Sequence, residues 1–143
     1  MPPPTIPEAS HFPHDADLGV CGVGRTREEA FEQAALALCA AVVEPEAITP
    51  SVAVSLSCEA PDDRLLLADF LNAVIYEMAT RRLVFSRFSV AISAHTLRAT
   101  AWGEPIDLAR HAPAVEPKGA TYTALHVGER PDGAWEARCV VDV

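Results

Sequence analysis

The chain has 143 residues, half of them apolar, with a formal net charge of −9. That length suits one domain with an ordinary core, and the apolar content excludes a disordered chain. The acidic balance argues against strong direct nucleic-acid binding, which uses basic patches to neutralise phosphates.

The opening Met1-Pro2-Pro3-Pro4 has neither a basic nor an apolar signal region, so it does not read as a secretory leader. Residues 1 to 10 read as a flexible, proline-rich tail, and 11 to 143 as the domain. No apolar run approaches the ~20 residues that span a bilayer. Four cysteines, Cys21, Cys39, Cys58 and Cys139, form no CxxC pair. They read as small reduced thiols, which points to a cytoplasmic location and away from zinc.

Asp17 to Arg25, with Gly19, Gly22 and Gly24, reads as a first strand with a close backbone approach. Thr26-Arg27-Glu28-Glu29 fits a capping box, predicting a helix from Arg27 to Val42. Ala30, Phe31, Ala34, Ala35, Leu38 and Ala41 lie at helical spacing and form its inward stripe. Val52, Val54, Leu56 and Cys58 alternate with small residues as a half-buried strand. Pro61-Asp62-Asp63 starts a second helix, from Asp63 to Thr80, with a broad apolar face. Asp69, Asn72 and Tyr76 share another face of it.

The remainder reads as β. Phe88 to Ile92 and Leu97 to Ala101 form a hairpin around Ser93-Ala94-His95. Ile106 to Pro117 is a long connection with at most one helical turn. Thr121 to Val127 is predicted as a strand. A turn at Pro131-Asp132-Gly133 leads to a final strand that reaches Val143. The expected fold class is α+β, with two helices packed on a mixed β-sheet.

Phosphate-binding glycine loops, nucleophile elbows and zincin motifs are absent. Carboxylates remain. His14-Asp15-Ala16-Asp17 opens the first strand, and Asp142 stands beside the α-carboxylate of Val143. Hard cations such as Ca²⁺ or Mg²⁺ take such oxygen ligands. If the first and last strands are neighbours, Asp17 completes a three-carboxylate site, whose mutual repulsion calls for a cation or a proton.

Several stretches, in order, carry a family resemblance. His14-Asp15-Ala16-Asp17-Leu18 resembles the H-T-A-D-I opening of archeases. Gly22 to Ala35, with Thr26, Glu28-Glu29-Ala30-Phe31 and Ala34-Ala35, resembles their first helix. Leu65 to Asn72 is similar to their L-L-x-x-(W/F)-L-N-E segment. Gly103-Glu104, Asp107 and His111 resemble G-E-x-x-D-x-x-x-H. Lys118 to Tyr122 resembles K-A-x-T-Y-H, and Val141-Asp142-Val143 the terminal V-D-I. Asp15 stands in place of the usual Thr, and Thr123 in place of the usual His.

The resemblance implies an archease-like single domain and a non-enzymatic role. That role is activation of the RNA-splicing ligase of tRNA splicing and RNA repair, by promoting its guanylylation and multiple turnover. It implies a divalent metal at Asp17, Asp142 and Val143, calcium in the first place, with magnesium or manganese as alternatives. The ligase would be a protein partner, with neither a membrane nor strong direct nucleic-acid binding involved. Asp15, Asp69, Glu104, His111 and Lys118 are further polar positions of interest. Lys118 is the chain's only lysine and suits a phosphate as a point charge. A general chaperone or protein-interaction module with a structural metal site is the alternative reading.

Overall fold

The structure is a computed structural model that describes residues 6–143. Residues 1–5 of the expected tail lie outside the described residues. Its later part is not tail: Glu8, Ala9 and Ser10 begin a strand, β1 (Glu8–His14). The short apolar content of this strand hid it in the sequence. It holds by its ladder to β2 (Asp17–Gly24), from Glu8 opposite Val23 to His14 opposite Asp17. Pro13 is tolerated because β1 is an edge strand.

The first helix, α1 (Arg27–Val42), starts as the capping box requires: the Thr26 hydroxyl accepts from the Glu29 amide at 3.1 Å. The Glu29 carboxylate accepts in return from the Arg25 amide. Then follow β3 (Val52–Glu59) and α2 (Asp63–Arg81), capped by Asp62 on the Leu65 amide. A left-handed Arg82 ends α2. Strands β4 (Leu83–Ser93) and β5 (Thr96–Pro105) form the expected hairpin, with Ala94 at positive φ in its turn. A single helical turn, α3 (Leu108–His111), lies in the long connection, as its sequence allows.

Thr121 to Val127 is not one strand. The chain pairs briefly as β6 (Gly119–Ala120), leaves the sheet, and returns as β7 (His126–Glu129). The pairing register shifts here: the Thr121 amide and hydroxyl both donate to the Val140 carbonyl, the Val140 amide donates to the Thr123 carbonyl, Ala124 takes a positive φ, and β7 resumes three residues out of the β6 register. The last strand, β8 (Trp135–Asp142), stops one residue short of its expected end.

The α+β class is as expected, but the strands form two sheets with every pairing antiparallel. One has the order β1-β2-β8-β6, with β7 also on β8; the other has the order β3-β5-β4. Among the described residues no strand pair is parallel, so the expected mixed sheet does not arise: the β1–β2, β4–β5 and β7–β8 hairpins are antiparallel by construction, and β3 and β2 add to them antiparallel from far along the chain. Both sheets and both long helices share one core. Phe31 of α1 stacks near Phe70 of α2, which meets Phe88 of β4 edge-on at 6.2 Å. Helix α1 also guards an edge, since the Glu32 carboxylate accepts from the Val90 amide of β4 at 2.8 Å.

Candidate functional site

The β2–β8 ladder pairs Leu18 with Val141. Continuing that register by one residue sets Asp17 opposite Asp142, where Cβ atoms of facing residues lie about 5 Å apart. Val141 is fully buried in the core and Leu18 packs against it. The pleat therefore directs Asp17 and Asp142 to the opposite face. His14 faces Asp17 from β1, and Gly119 faces Asp142 from β6. The result is a row across four strands, His14–Asp17–Asp142–Gly119, at one end of the sheet.

Asp142 is exposed, and Asp17 and Val143 are half-buried. The Asp142 carbonyl accepts from the Lys118 amide at 2.8 Å, which places the lysine beside this row with its side chain exposed. From α2, Asn72 Oδ1 accepts from the Ala120 amide at 2.8 Å and fixes β6 to the helix. The pair Asp17 and Asp142 fits a hard cation by donor type, with a main-chain oxygen of Val143 close by in sequence. Among the described residues no three His, Cys, Asp or Glu side chains converge tightly enough to hold a metal ion. The side-chain contribution is thus limited to two carboxylates.

Asp15 has a different role in this geometry. It takes the left-handed first position of the two-residue turn between β1 and β2, at φ 52°, with its side chain 92% exposed. Aspartate is one of the few residues that adopts this conformation readily. Asp69 is exposed on α2, one turn before Asn72, and its charge acts on Cys58 of β3. The Asp69, Asn72 and Tyr76 stripe therefore divides: Asp69 borders β3, Asn72 holds β6, and Tyr76 is 64% exposed.

Glu104 and His111 belong to a separate structural cluster. Glu104 accepts from the Arg110 guanidinium at 2.6 Å and from the Thr49 amide. The buried His111 accepts at Nδ1 from the Asp107 amide at 2.8 Å. An amide can only donate, so the ring proton sits on Nε2 and points to Glu104 Oε2, 3.3 Å away. Asp107 also caps α3 through the Ala109 and Arg110 amides. The Arg110 ion pair, with help from the Thr49 amide, lowers the Glu104 carboxyl to about 2.

All four cysteines are free thiols. Burial pushes Cys39 up to about 12 and Cys58 and Cys139 to about 11, which disfavours thiolate chemistry.

Sequence reasoning left His14 out of the site. A His three residues before an Asp across a two-residue turn must face it in a hairpin, so the spacing carried that signal. Its Nδ1 is buried without a hydrogen-bond partner. Asn72 was legible only as part of a helix face, because its partner Ala120 lies far along the chain.

Four similarities bear on the family. The model of the Archease protein family (MTH1598/TM1083) matches residues 10–143. The protein archease of Pyrococcus furiosus is 38% identical over 137 residues, 93% of this chain and 96% of that protein. The protein archease of Methanosarcina barkeri is 33% identical over 138 residues, covering 93% and 94%. The solution structure of Methanobacterium thermoautotrophicum protein 1598 superposes with a TM-score of 0.84 at 28% identity. It covers 94% of this chain and 98% of that one.

Proposed function

The chain belongs to the archease family, and from that premise we propose that it is an accessory protein of an RNA-splicing ligase. In this reading it promotes guanylylation and multiple turnover of the ligase in tRNA splicing and RNA repair. The observation that carries the proposal is the register of β2 and β8, which aligns Asp17 with Asp142 at an open sheet end. Asp17 and Asp142, with a main-chain oxygen of Val143, would hold a divalent cation, calcium first and magnesium or manganese as alternatives. When bound, the cation offsets the repulsion of the carboxylates and supplies a positive centre for phosphate oxygens. Lys118 adds a point charge beside it. Asn72 keeps β6, and with it the Lys118 backbone, against the end of β8.

The second reading is a general chaperone or interaction module whose metal site is structural. It is favoured by the restriction of the side-chain ligands to two carboxylates.

The test is a guanylylation assay on the cognate ligase with GTP and Mn²⁺, adding substoichiometric wild type or Asp142→Asn. The expected result is acceleration by wild type and at least tenfold less by the folded variant. A variant that activates like wild type would move the role away from the carboxylate pair and favour the interaction module. Failure of folded wild type to accelerate the ligase would overturn the accessory role for this chain.

A further inference from the structure

The sheet β3-β5-β4 has one face in the core and one face bare. Along β3, burial alternates: Val54 and Leu56 are buried, and Ser55 and Ser57 are exposed. Each outward row is set by register. Trp102 stands between Ala53 and Arg87, and Thr100 between Ser55 and Ser89. Arg98 stands between Ser57 and Ala91. Small side chains leave a shallow depression of about 440 Å³ around Arg98 and the hydroxyls of the central row.

The charge on this face is opposite to that of the molecule. The chain carries −9, but these three rows hold two arginines and no carboxylate; Glu59 lies one row further out at one end, opposite Thr96, and Glu104 beyond Trp102 at the other, opposite Val84 and paired with Arg110. Among the described residues neither Arg87 nor Arg98 has a carboxylate at ion-pair distance. Arg87 instead lies over the Trp102 ring, 4.7 Å from its centroid. That stack gives a flat cationic platform. Arg98 lies four residues from Trp102 on the same strand, about 13 Å away at ordinary strand rise.

We propose that the outer face of β3-β5-β4 binds a short single-stranded nucleic acid. A base stacks on the Arg87–Trp102 platform, and backbone phosphates meet Arg98 and the Ser and Thr hydroxyls between them. Duplex is disfavoured, because a rigid helix cannot lay a base on a flat sheet. Two arginine contacts make the binding weak and salt-dependent, with a slope of log Kd on log salt near roughly 1.4. The net negative charge adds repulsion at distance, which salt screens, so affinity is local to this face. The inference is independent of the ligase reading, which concerns the other sheet.

The experiment is fluorescence anisotropy of a labelled short oligouridine at low salt, with a duplex of equal length and an oligoglutamate peptide as competitors. Saturable binding by wild type is expected, weakened at least fivefold in Arg98→Ala and Trp102→Ala and abolished in Arg98→Glu. Trp102→Phe keeps most of it, since a ring still stacks. Thermal melts report folding; if Trp102→Ala does not fold, the exposed Arg98 variants decide. No saturable binding by wild type, or unchanged binding in both folded arginine variants, would overturn the proposal. So would competition by oligoglutamate as strong as by unlabelled oligouridine, which would assign the face to acidic protein segments.

Discussion

Glu104 accepts hydrogen bonds from Arg110, from the Thr49 amide and from His111, and so ties the end of β5 to the loop after α1 and to α3. Its carboxyl is held at about 2, chiefly by Arg110, against an ordinary value of about 4.3. A carboxyl lowered on folding stabilises the fold above its unfolded value. That stabilisation is lost as pH falls from about 4.3 towards 2. Glu104→Gln should therefore lower the melting temperature at pH 7 and flatten its fall between about pH 5 and 2. Parallel acid-dependent curves for the two proteins would show that Glu104 does not carry the effect. The sequence placed Glu104, Asp107 and His111 together as a motif. That they lock a loop rather than face the carboxylate row depended on Thr49, 55 residues from Glu104.

At the scale of elements, α1 lies directly on β2, and Gly22 makes this possible. A Cβ there would meet the Ala30 carbonyl oxygen at 2.2 Å and the Ala34 amide at 2.3 Å, both backbone atoms. Neither can yield without moving the helix. Gly22→Ala should cost roughly 1–3 kcal/mol or more in denaturant melts. A change within a few tenths of a kcal/mol would mean that α1 can slide. The alanines of α1 signalled close packing in the sequence, and the helix bounds from Arg27 to Val42 were legible from capping and periodicity. Strand β1 was not, because prolines and polar residues mask an edge strand that holds by its ladder to one neighbour. The break between β6 and β7 was equally hidden, since it is a register shift against the distant Val140, whose carbonyl takes both the amide and the hydroxyl of Thr121 and whose amide turns to the Thr123 carbonyl.

For the whole molecule, one core carries both sheets, and Phe70 is at its centre, fully buried against Phe31 and Phe88. Phe70→Ala should destabilise by roughly 3–5 kcal/mol and do so in a single cooperative transition. A biphasic melt would show that the two sheets fold as separate units. Among the described residues no helix is long and apolar enough to cross a membrane.

Local physics determined much of this protein from its sequence. Alternation and helical spacing gave the two long helices, the β4–β5 hairpin and the final strand. Short connections gave an α+β class, and residue order carried the family motifs. Tertiary structure alone decided which strand ends meet. Asp17 and Asp142 become neighbours because β8 returns antiparallel to β2, and His14 joins their row because β1 folds back on β2. It also decided which face of β3-β5-β4 the helices leave bare. Both outcomes rest on pairings between residues far apart in the chain, and the apolar pattern within a strand selects a register only once its buried face meets that of its partner in one shared core.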